Sequence, residues 1–401
     1  MNQSMNSIVE INGGNKGSTG KIMIGIADVA RKSGFEVHMF SPAGRSQLKD
    51  VPYNTFIGSS LEHQLCLKLN YYLSTEGKFN YIATLKLLHD LKRINPQIIH
   101  LHNIHNSYLN LEMLFRYINK NNIKVVWTLH DCWAFTGHCP YFDIVHCQKW
   151  KTQCHDCPLY PKYPATYRDS SGSEYLRKKK LFNSVKDMTI VTPSRWLADL
   201  TGQSFLQKYT VKVIYNGIDF KVFHPRTSTF REMHRMQKKF IVLGVAFSWG
   251  IRKGLDRFQK LAEQLDARFQ IVLVGIGQEH VNSDRIICIP QTDNQEQLAE
   301  IYTAADVFLN PTREDNFPTV NIEALACGTP VLSYGAGGSA EAIDETCGMV
   351  VSDDTVIEVL HNLYQKNYDS QACLDRSRTF DQQLKFMDYA NLYHVLLDEG
   401  S

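Results

Sequence analysis

The stretch Thr312–Pro330, TREDNFPTVNIEALACGTP, decides how the second half of this chain folds. The apolar run Asp306–Asn310 before it has the length of a buried strand, and a proline stops that run. The segment Val320–Ala326 has helical composition, and a glycine and a proline follow its end. Between strand and helix lie three residues with turn and cap chemistry: Asn316, Pro318 and Thr319. The stretch therefore predicts the strand-turn-helix unit from which parallel α/β sheets are built.

Two carboxylates frame this turn, Asp315 just before the helix and Glu323 about one turn inside it. Free N–H groups at a helix start favour a phosphate, and a carboxylate outside the turn can hold hydroxyl groups. A ligand with both sugar and phosphate would suit this arrangement. Acidic residues near a helix start are also stabilised by the helix dipole without any ligand. The residues alone leave both interpretations open.

The segment resembles the signature of the retaining glycosyltransferases with the GT-B fold, glycosyltransferase family 4 (glycosyl transferases group 1). That signature has two glutamates separated by seven residues, followed by Ala-(Leu/Met)-Ala-Cys-Gly-x-Pro-Val. Glu323–Val331 match its second part, and Asp315 stands at the first glutamate with a shorter arm. The resemblance implies two Rossmann-like parallel-sheet domains facing a cleft, Asp315 on sugar hydroxyls and Glu323 on a ribose. It also implies that sugar and diphosphate lie near Asn316, Phe317, Pro318 and Thr319.

Length and composition exclude several classes of protein. A chain of 401 residues can form two domains, and its net charge of +2 gives no reason to expect nucleic acid as a partner. Hydrophobic content of 43% and charged content of 21% are those of a globular protein. We see no apolar run near the roughly 18 residues of a membrane helix, and no basic signal region at the start. A cytoplasmic location is therefore expected.

The first strand, within Ser7–Gly13, leads through GGNKGSTGK into a helix. This loop does not fit the P-loop pattern, since Asn15 and Ile22 occupy positions that require Gly and Ser or Thr. A nucleotide kinase is thus a weak alternative. Glycines still permit close approach of a ligand, although a simple tight turn explains them equally well. In GT-B enzymes the corresponding loop lines the cleft, which makes Gly14, Gly17 and Ser18 candidate donor contacts.

Histidines follow two successive strands of the first half. His100, His102 and His105 lie at the end of one strand, where open α/β sheets place ligands. A metal site there would have no defined third ligand, so buried, hydrogen-bonded histidines are the favoured interpretation. His130 ends the next strand, and family resemblance makes it a site residue that hydrogen-bonds a donor hydroxyl or the acceptor.

A cysteine-rich segment follows His130, and it holds half of the 10 cysteines of the chain. It has no helical or strand period, and a long loop without its own core needs another source of stability. In a reducing compartment one structural Zn²⁺ bound by four thiolates would supply it. Free or redox-active thiols are the alternative. The candidate ligands are Cys139, Cys147, Cys154 and Cys157. Colanic-acid and O-antigen glycosyltransferases resemble the chain here, which implies a role on the acceptor side.

Two basic stretches raise the question of lipid contact. Leu61–Arg93 mixes apolar and basic residues and could rest on an anionic membrane, although a packed helix face with a solvated rim is the favoured interpretation. The run Arg177–Lys180 could touch a lipid pyrophosphate, and a solvated helix face is again the simpler explanation.

The second half begins with a polar segment and then a second Rossmann-like strand, Phe240–Phe247. SWGIRKGLD follows, where the family has Arg-x4-Lys-Gly with both cations on the diphosphate. Lys253 matches the lysine, and Ser248 stands at the arginine position, for which Arg252 is a candidate substitute. Gly275 follows the next strand, in a turn where a nucleotide could approach. No Asp-x-Asp occurs, so no divalent cation or other cofactor is expected for catalysis.

The sequence thus predicts an acceptor-side domain at 1–221 with a Cys-rich insertion at about 132–164, a linker at 222–239, a nucleotide-sugar domain at 240–385, and a helix at 386–401 that crosses back. The expected activity is that of a retaining hexosyltransferase using a UDP- or GDP-sugar in O-antigen, capsule or exopolysaccharide synthesis. Its acceptor would be a saccharide on polyprenyl pyrophosphate, with peripheral contact to the inner face of the cytoplasmic membrane. A GT-B nucleotide-sugar epimerase and a zinc-stapled, non-catalytic scaffold are the alternatives.

Overall fold

The structure, a computed structural model, describes residues 6–44, 47–281 and 283–398. The chain divides into two compact α/β units. The first unit runs to Tyr215 and takes up the C-terminal residues from Gln383 on, and the second unit is Asn216–Gln382. Each unit contains one parallel sheet, of seven strands in the first and six in the second. The predicted α/β class with two parallel-sheet domains is confirmed.

The strands are β1 Ser7–Ile11, β2 Glu36–Pro42, β3 Asn54–Ile57, β4 Ile98–Leu101, β5 Lys124–Thr128, β6 Met188–Thr192, β7 Thr210–Val213, β8 Phe240–Val245, β9 Phe269–Val274, β10 Ile286–Ile289, β11 Val307–Asn310, β12 Val331–Ser333 and β13 Gly348–Val350. The helices are α1 Gly17–Lys32, α2 Ser60–Leu73, α3 Tyr81–Ile94, α4 Leu111–Lys120, α5 Ser171–Phe182, α6 Arg195–Gly202, α7 Phe230–Met233, α8 Leu255–Gln264, α9 Gln295–Ala304, α10 Thr319–Ala326, α11 Val356–Gln365, α12 Ser370–Ser377 and α13 Gln382–Asp398.

Each sheet reverses its strand order once. The first sheet has the order β3-β2-β1-β4-β5-β6-β7, and the second has the order β10-β9-β8-β11-β12-β13. Successive crossovers run outward from β1 and β4 in the first sheet, and from β8 and β11 in the second. Such a reversal leaves a crevice at the carboxyl ends of the two central strands, where open α/β sheets bind ligands. The topology therefore directs attention to the loops after these four strands.

The sheet of the first unit separates an apolar core from a partly polar one. One face buries Val9, Ile99 and Trp127 among other large apolar side chains. The opposite face is covered by α1 and α13, and Phe386 of α13 packs so closely that a Cβ on Gly25 would lie 2.1 Å from its ring. Polar side chains of β1, β4 and β5 are buried beneath these helices. The C-terminal helix is thus an integral part of the first unit.

Two basic segments differ from expectation. The linker predicted at 222–239 belongs to the second unit, where Phe230 and Met236 are buried and Arg231 pairs with Asp306 at 2.6 Å.

The prediction that Arg177–Lys180 forms a solvated helix face is wrong for Lys178, whose side chain is fully buried. Its Nζ donates to the carbonyl of Trp133 at 2.6 Å and lies 3.6 Å from the centre of that ring. Burial lowers the pKa of Lys178 to about 7.

None of the helices in the described ranges combines the length and the apolar character that crossing a membrane requires.

Candidate functional site

The loops after β8 and β11 are joined by hydrogen bonds. The backbone carbonyl of Arg252 accepts from the N–H of Arg313 at 2.8 Å and from the hydroxyl of Thr312 at 3.2 Å. Gly254 allows this approach because it has a φ of +76°, and a Cβ there would lie 2.5 Å from the carbonyl of Pro311. The two loops at the crevice of the second sheet therefore form one rigid structure.

Lys253 and Asp315 meet across these loops. Lys253 Nζ lies 2.5 Å from Asp315 Oδ2, and the two side chains are 21% and 15% exposed. The other carboxylate oxygen of Asp315 accepts the N–H of Asn316 at 3.0 Å, which orients the group. The structure thus brings together two predicted site residues that lie 62 positions apart in sequence.

A glycine-rich turn after β12 packs against the backbone carbonyl of Asp315. Gly337 has a φ of +60°, and a Cβ there would lie 1.8 Å from the carbonyl oxygen of Asp315. The N–H of Gly338 donates to the same carbonyl at 3.3 Å. We missed this role in the sequence, although the run Gly335–Gly338 was the available signal.

Helix α10 begins directly after Pro318, whose side chain provides no cap for its first N–H groups. Thr319 is therefore the first residue of a helix start open to an external acceptor. Glu323 lies one turn farther along, and its Oε2 accepts from the hydroxyl of Tyr302 at 3.1 Å. Burial raises the pKa of Tyr302 well above its ordinary value, and the charge of Glu323 raises it further. Tyr302 therefore remains a hydrogen-bond donor to this carboxylate.

The remaining predicted residues of the second unit have different surroundings. Arg252 is exposed, and its Nη1 donates to the carbonyl of Glu314 at 3.2 Å. Gly275 directly follows β9 with a φ of +93°, and a Cβ there would lie 1.8 Å from the carbonyl oxygen of Ala246. Phe317 is buried with its ring 5.6 Å from that of Phe380, so its side chain serves packing.

A buried polar network that sequence reasoning missed fixes α10 to the sheet. Asn310 Nδ2 donates to Asn321 Oδ1 at 2.8 Å, and Asn321 Nδ2 donates to the carbonyl of Ser339 at 2.7 Å. Both asparagines are buried. They join the end of β11, the middle of α10 and the glycine-rich turn, and so determine where the helix start points.

In the first unit the loop after β1 is tied to the end of β4. Asn12 Oδ1 accepts from the N–H of Asn103 at 3.2 Å, and Asn12 Nδ2 donates to the carbonyl of Gly14 at 2.8 Å. Gly17 and Ser18 open α1 and are exposed, and Gly17 has a φ of +73°. The three predicted residues thus border the crevice of the first sheet.

The histidines of the first unit form two groups. His130 Nε2 lies 3.1 Å from His102 Nδ1, and burial lowers the pKa of His130 to about 4. His105 Nε2 lies 3.2 Å from Asp131 Oδ2. Burial alone would lower the pKa of His105, but the charge of Asp131 raises it above its ordinary value. A neutral imidazole is therefore expected at position 130 near neutral pH, whereas Asp131 favours the charged form of His105 beside it.

The cysteine-rich segment folds without long helices or strands. The thiols of Cys139 and Cys157 are hydrogen-bonded to each other, and this bond lowers the pKa of Cys157 to about 7. The sulfur of Cys154 accepts the N–H of Gly137 at 3.2 Å. Within the described ranges, no three cysteine sulfurs lie within 4.8 Å of one another. The thiols are thus close but do not form a closed tetrahedral set, and zinc binding stays a prediction.

The site in the second unit combines a cation, a helix start and two carboxylates. A lysine and uncapped N–H groups both stabilise phosphate charge, and carboxylates accept hydrogen bonds from hydroxyl groups. Its chemistry suits a ligand with a diphosphate and several hydroxyls.

Comparison with known families gives two matches. Residues 20–222 match the model of Glycosyltransferase Family 4, and residues 237–365 match that of Glycosyl transferases group 1. The first match spans half of the chain.

Individual relatives and structures agree with these families. The putative colanic acid biosynthesis glycosyl transferase WcaC of Escherichia coli is 26% identical over 318 residues, which are 75% of this chain and 77% of the relative. HepE of Anabaena, solved in complex with UDP, has a TM-score of 0.69 at 15% identity over 98% of this chain and 100% of its own. WaaG, a glycosyltransferase involved in lipopolysaccharide biosynthesis, has a TM-score of 0.64 at 16% identity over 96% and 99%.

Proposed function

This chain belongs to glycosyltransferase family 4, and on that premise we propose that it transfers a hexose or related sugar from a UDP- or GDP-sugar to a growing polysaccharide repeat, with retention of anomeric configuration. The observation that carries the donor side is the pairing of Lys253 with Asp315 beside the open start of α10. The relative WcaC, described as acting in colanic acid biosynthesis, supports a polysaccharide product.

Each group of the site has a task in this reaction. Lys253 stabilises the negative charge that develops on the departing diphosphate, together with the first N–H groups of α10. Asp315 accepts hydrogen bonds from sugar hydroxyls, and Glu323 accepts from the ribose. When the donor binds, its phosphate competes with Asp315 for the ammonium of Lys253. The acceptor hydroxyl attacks from the face that the diphosphate leaves, and a phosphate oxygen takes its proton.

The first unit carries a surface suited to a lipid-linked acceptor. Glu62 Oε1 accepts the N–H of Ala83 at 2.9 Å, so the start of α2 lies against the start of α3. Five large apolar side chains around this junction are each more than half exposed: Leu61, Leu65, Tyr81, Ile82 and Leu85. We call these five residues the apolar patch. An exposed apolar patch of this kind marks an interaction site.

Charge makes an anionic membrane the expected partner of this patch. Residues 60–94 contain five exposed basic side chains, whereas their three acidic residues are all partly buried. Basic residues around an apolar face bind anionic bilayers by combining Coulomb attraction with burial of apolar area. We therefore place the lipid of a polyprenyl-pyrophosphate-linked acceptor, and peripheral membrane contact, on the first unit.

Vesicle sedimentation tests the membrane contact. The full-length protein should sediment with vesicles containing anionic lipid at low salt, and less with zwitterionic vesicles or at high salt. Lys78→Glu with Lys86→Glu should abolish sedimentation, whereas the exposed pair Lys260→Glu with Lys366→Glu, which has the same charge change, should not. Equal loss in both double variants would refute a role of this surface.

Donor screening tests the activity. Thermal-shift measurements against UDP- and GDP-sugars should give one stabilising donor, because a ligand that binds only the folded state raises its stability. That donor should then be consumed only with a saccharide acceptor. Release of free sugar or of an epimer without an acceptor would favour the epimerase alternative. No shift with any donor would refute the proposed reaction.

A further inference from the structure

A line of buried polar side chains leads from the interior of the first unit to His130. Glu10 of β1 is in register with His100 of β4, and His102 follows two residues later on the same face. Glu10 Oε2 lies 3.4 Å from His102 Nε2, and His102 Nδ1 lies 3.1 Å from His130 Nε2. Glu10 and His102 are fully buried. The sequence pattern around these histidines indicated no defined third ligand, and the structure places Glu10 beside them.

The hydrogen bonds around His100 show which acceptors the hydroxyl protons of Thr128 and Tyr393 are directed to. Thr128 Oγ1 donates to the hydroxyl of Tyr389 at 3.3 Å, so His100 Nε2, 2.8 Å from Thr128, is the donor in that contact. Burial lowers the pKa of His100 to about 3, and the ring is therefore neutral. Its Nδ1 then accepts the hydroxyl proton of Tyr393 at 2.6 Å. That proton is consequently not available to Glu10.

The carboxyl group of Glu10 and Nε2 of His102 are thus each other's remaining polar neighbours. Within the described residues, both carboxylate oxygens of Glu10 and Nε2 of His102 are buried without a well-formed hydrogen bond. The hydroxyl of Tyr393 also lies near Glu10, but its proton is directed to His100 Nδ1. An ionised carboxylate without a donor is strongly disfavoured in a protein interior, whereas a carboxylic acid can donate its own proton. Burial raises the pKa of Glu10 well above its ordinary value, although the charge of Arg31 opposes this. Burial lowers the pKa of His102 well below its ordinary value. Both groups are therefore neutral.

We propose that Glu10 is a positioning residue which, as a carboxylic acid, donates to His102 Nε2 and thereby fixes the tautomer of His130. His102 then carries its proton on Nδ1 and donates it to His130 Nε2. The proton of the neutral His130 ring consequently lies on Nδ1. His130 is thus a hydrogen-bond donor that holds a ligand oxygen, and it does not remove a proton. The consequence for catalysis rests on the proposed function, whereas the tautomer itself does not.

Nitrogen NMR of the full-length protein with ¹⁵N-labelled histidine tests the tautomer directly, because protonated and bare ring nitrogens differ widely in chemical shift. The wild-type protein should show His130 protonated on Nδ1 and bare on Nε2. Glu10→Gln keeps a donor toward His102 and should preserve that pattern. Glu10→Leu has similar size and no donor, and should give a mixture of tautomers. A wild-type His130 protonated on Nε2 would overturn the proposal without any need for a variant.

Kinetics with the donor found by screening provide the second measurement. Glu10→Leu should lower kcat by at least about tenfold with little change in the donor KM. The reason is that a His130 ring without its proton on Nδ1 cannot donate a hydrogen bond to the ligand oxygen. Glu10→Gln should recover most of that loss. A chain without activity on any donor would refute the proposed function and leave the tautomer result standing.

Metal analysis distinguishes the remaining explanation. Glu10, His100 and His102 place their ligand atoms within 4.8 Å of one another, a spacing that also suits a metal ion. Stoichiometric metal in the wild-type protein that is lost in Glu10→Gln would overturn the proposal, because a ligating Glu10 is ionised. Metal content that is unchanged by Glu10→Gln supports it.

Discussion

Replacement of Gly337 by alanine should disable the donor site through the backbone of Asp315. The new Cβ would lie 1.8 Å from the carbonyl oxygen of Asp315, and such contacts are not found below 3.0 Å. Relief therefore requires about 1.2 Å of relative movement between the glycine-rich turn and the Asp315 loop. Because Asp315 forms an ion pair with Lys253, a displacement of Asp315 also displaces the ammonium group of Lys253.

The size of the effect follows from this displacement. A misplacement of about 1 Å in a catalytic constellation can lower the rate by about 100-fold. We therefore expect Gly337→Ala to lower kcat/KM for the donor by about two orders of magnitude. The left-handed backbone adds about 1–2 kcal/mol of strain, which should lower the unfolding midpoint by a few degrees.

Gly34→Ala is the matched control. Gly34 has a φ of +93°, and no atom lies within 4 Å of its added Cβ, so this variant has the strain without the clash. Both variants should lose a few degrees of thermal stability, and only Gly337→Ala should lose donor turnover. A Gly337→Ala enzyme with wild-type kcat/KM, or equal losses in both variants, would refute the positioning of Asp315 by this turn.

Three further predictions concern single contacts. Lys253→Met should lower kcat/KM by about 100-fold or more, because the leaving diphosphate loses a preorganised cation. Asp131→Asn should lower the unfolding midpoint more at pH 6 than at pH 9. The pKa of His105 is raised in the folded protein, so its pairing with Asp131 stabilises the fold fully below about pH 6.5, the pKa of an unfolded histidine. This stabilisation is lost as the pH rises through the pKa of His105 in the folded protein. Purified protein should contain one zinc per chain, and Cys154→Ser should lower both metal content and unfolding midpoint.

Each of these has its own control. Lys260→Met removes an exposed lysine from the same unit and should leave turnover unchanged; a Lys253→Met enzyme of equal activity would contradict the role of the cation. A pH-independent effect of Asp131→Asn would exclude a charged His105. For the cysteines, Cys288→Ser lies outside the cluster and should keep the metal, and wild-type protein without stoichiometric zinc would remove the hypothesis.

The sequence predicted those features that depend on local pattern. Apolar runs of strand length, such as Phe240–Val245, and the turn before α10 were found because period and turn chemistry are encoded by neighbouring residues. Lys253 and Asp315 were identified separately, but a pattern cannot give the 2.5 Å between their atoms. Glu10 was overlooked because a single acid in an apolar strand acquires its meaning only from the strand beside it. The linker was misjudged because composition reports polarity and not the packing of Phe230.

The return of α13 to the first unit determines the order in which the protein can be completed during synthesis. Residues 216–382 form a continuous insert, whereas the first unit needs Phe386, Tyr389 and Tyr393 from the far side of that insert. At roughly 5–20 residues per second, the ribosome needs about 10–30 s to make the insert. During that interval the buried face around His100 lacks its cover, and the second unit is complete before α13 has been made. The half of the chain that is made first is therefore the half that is finished last.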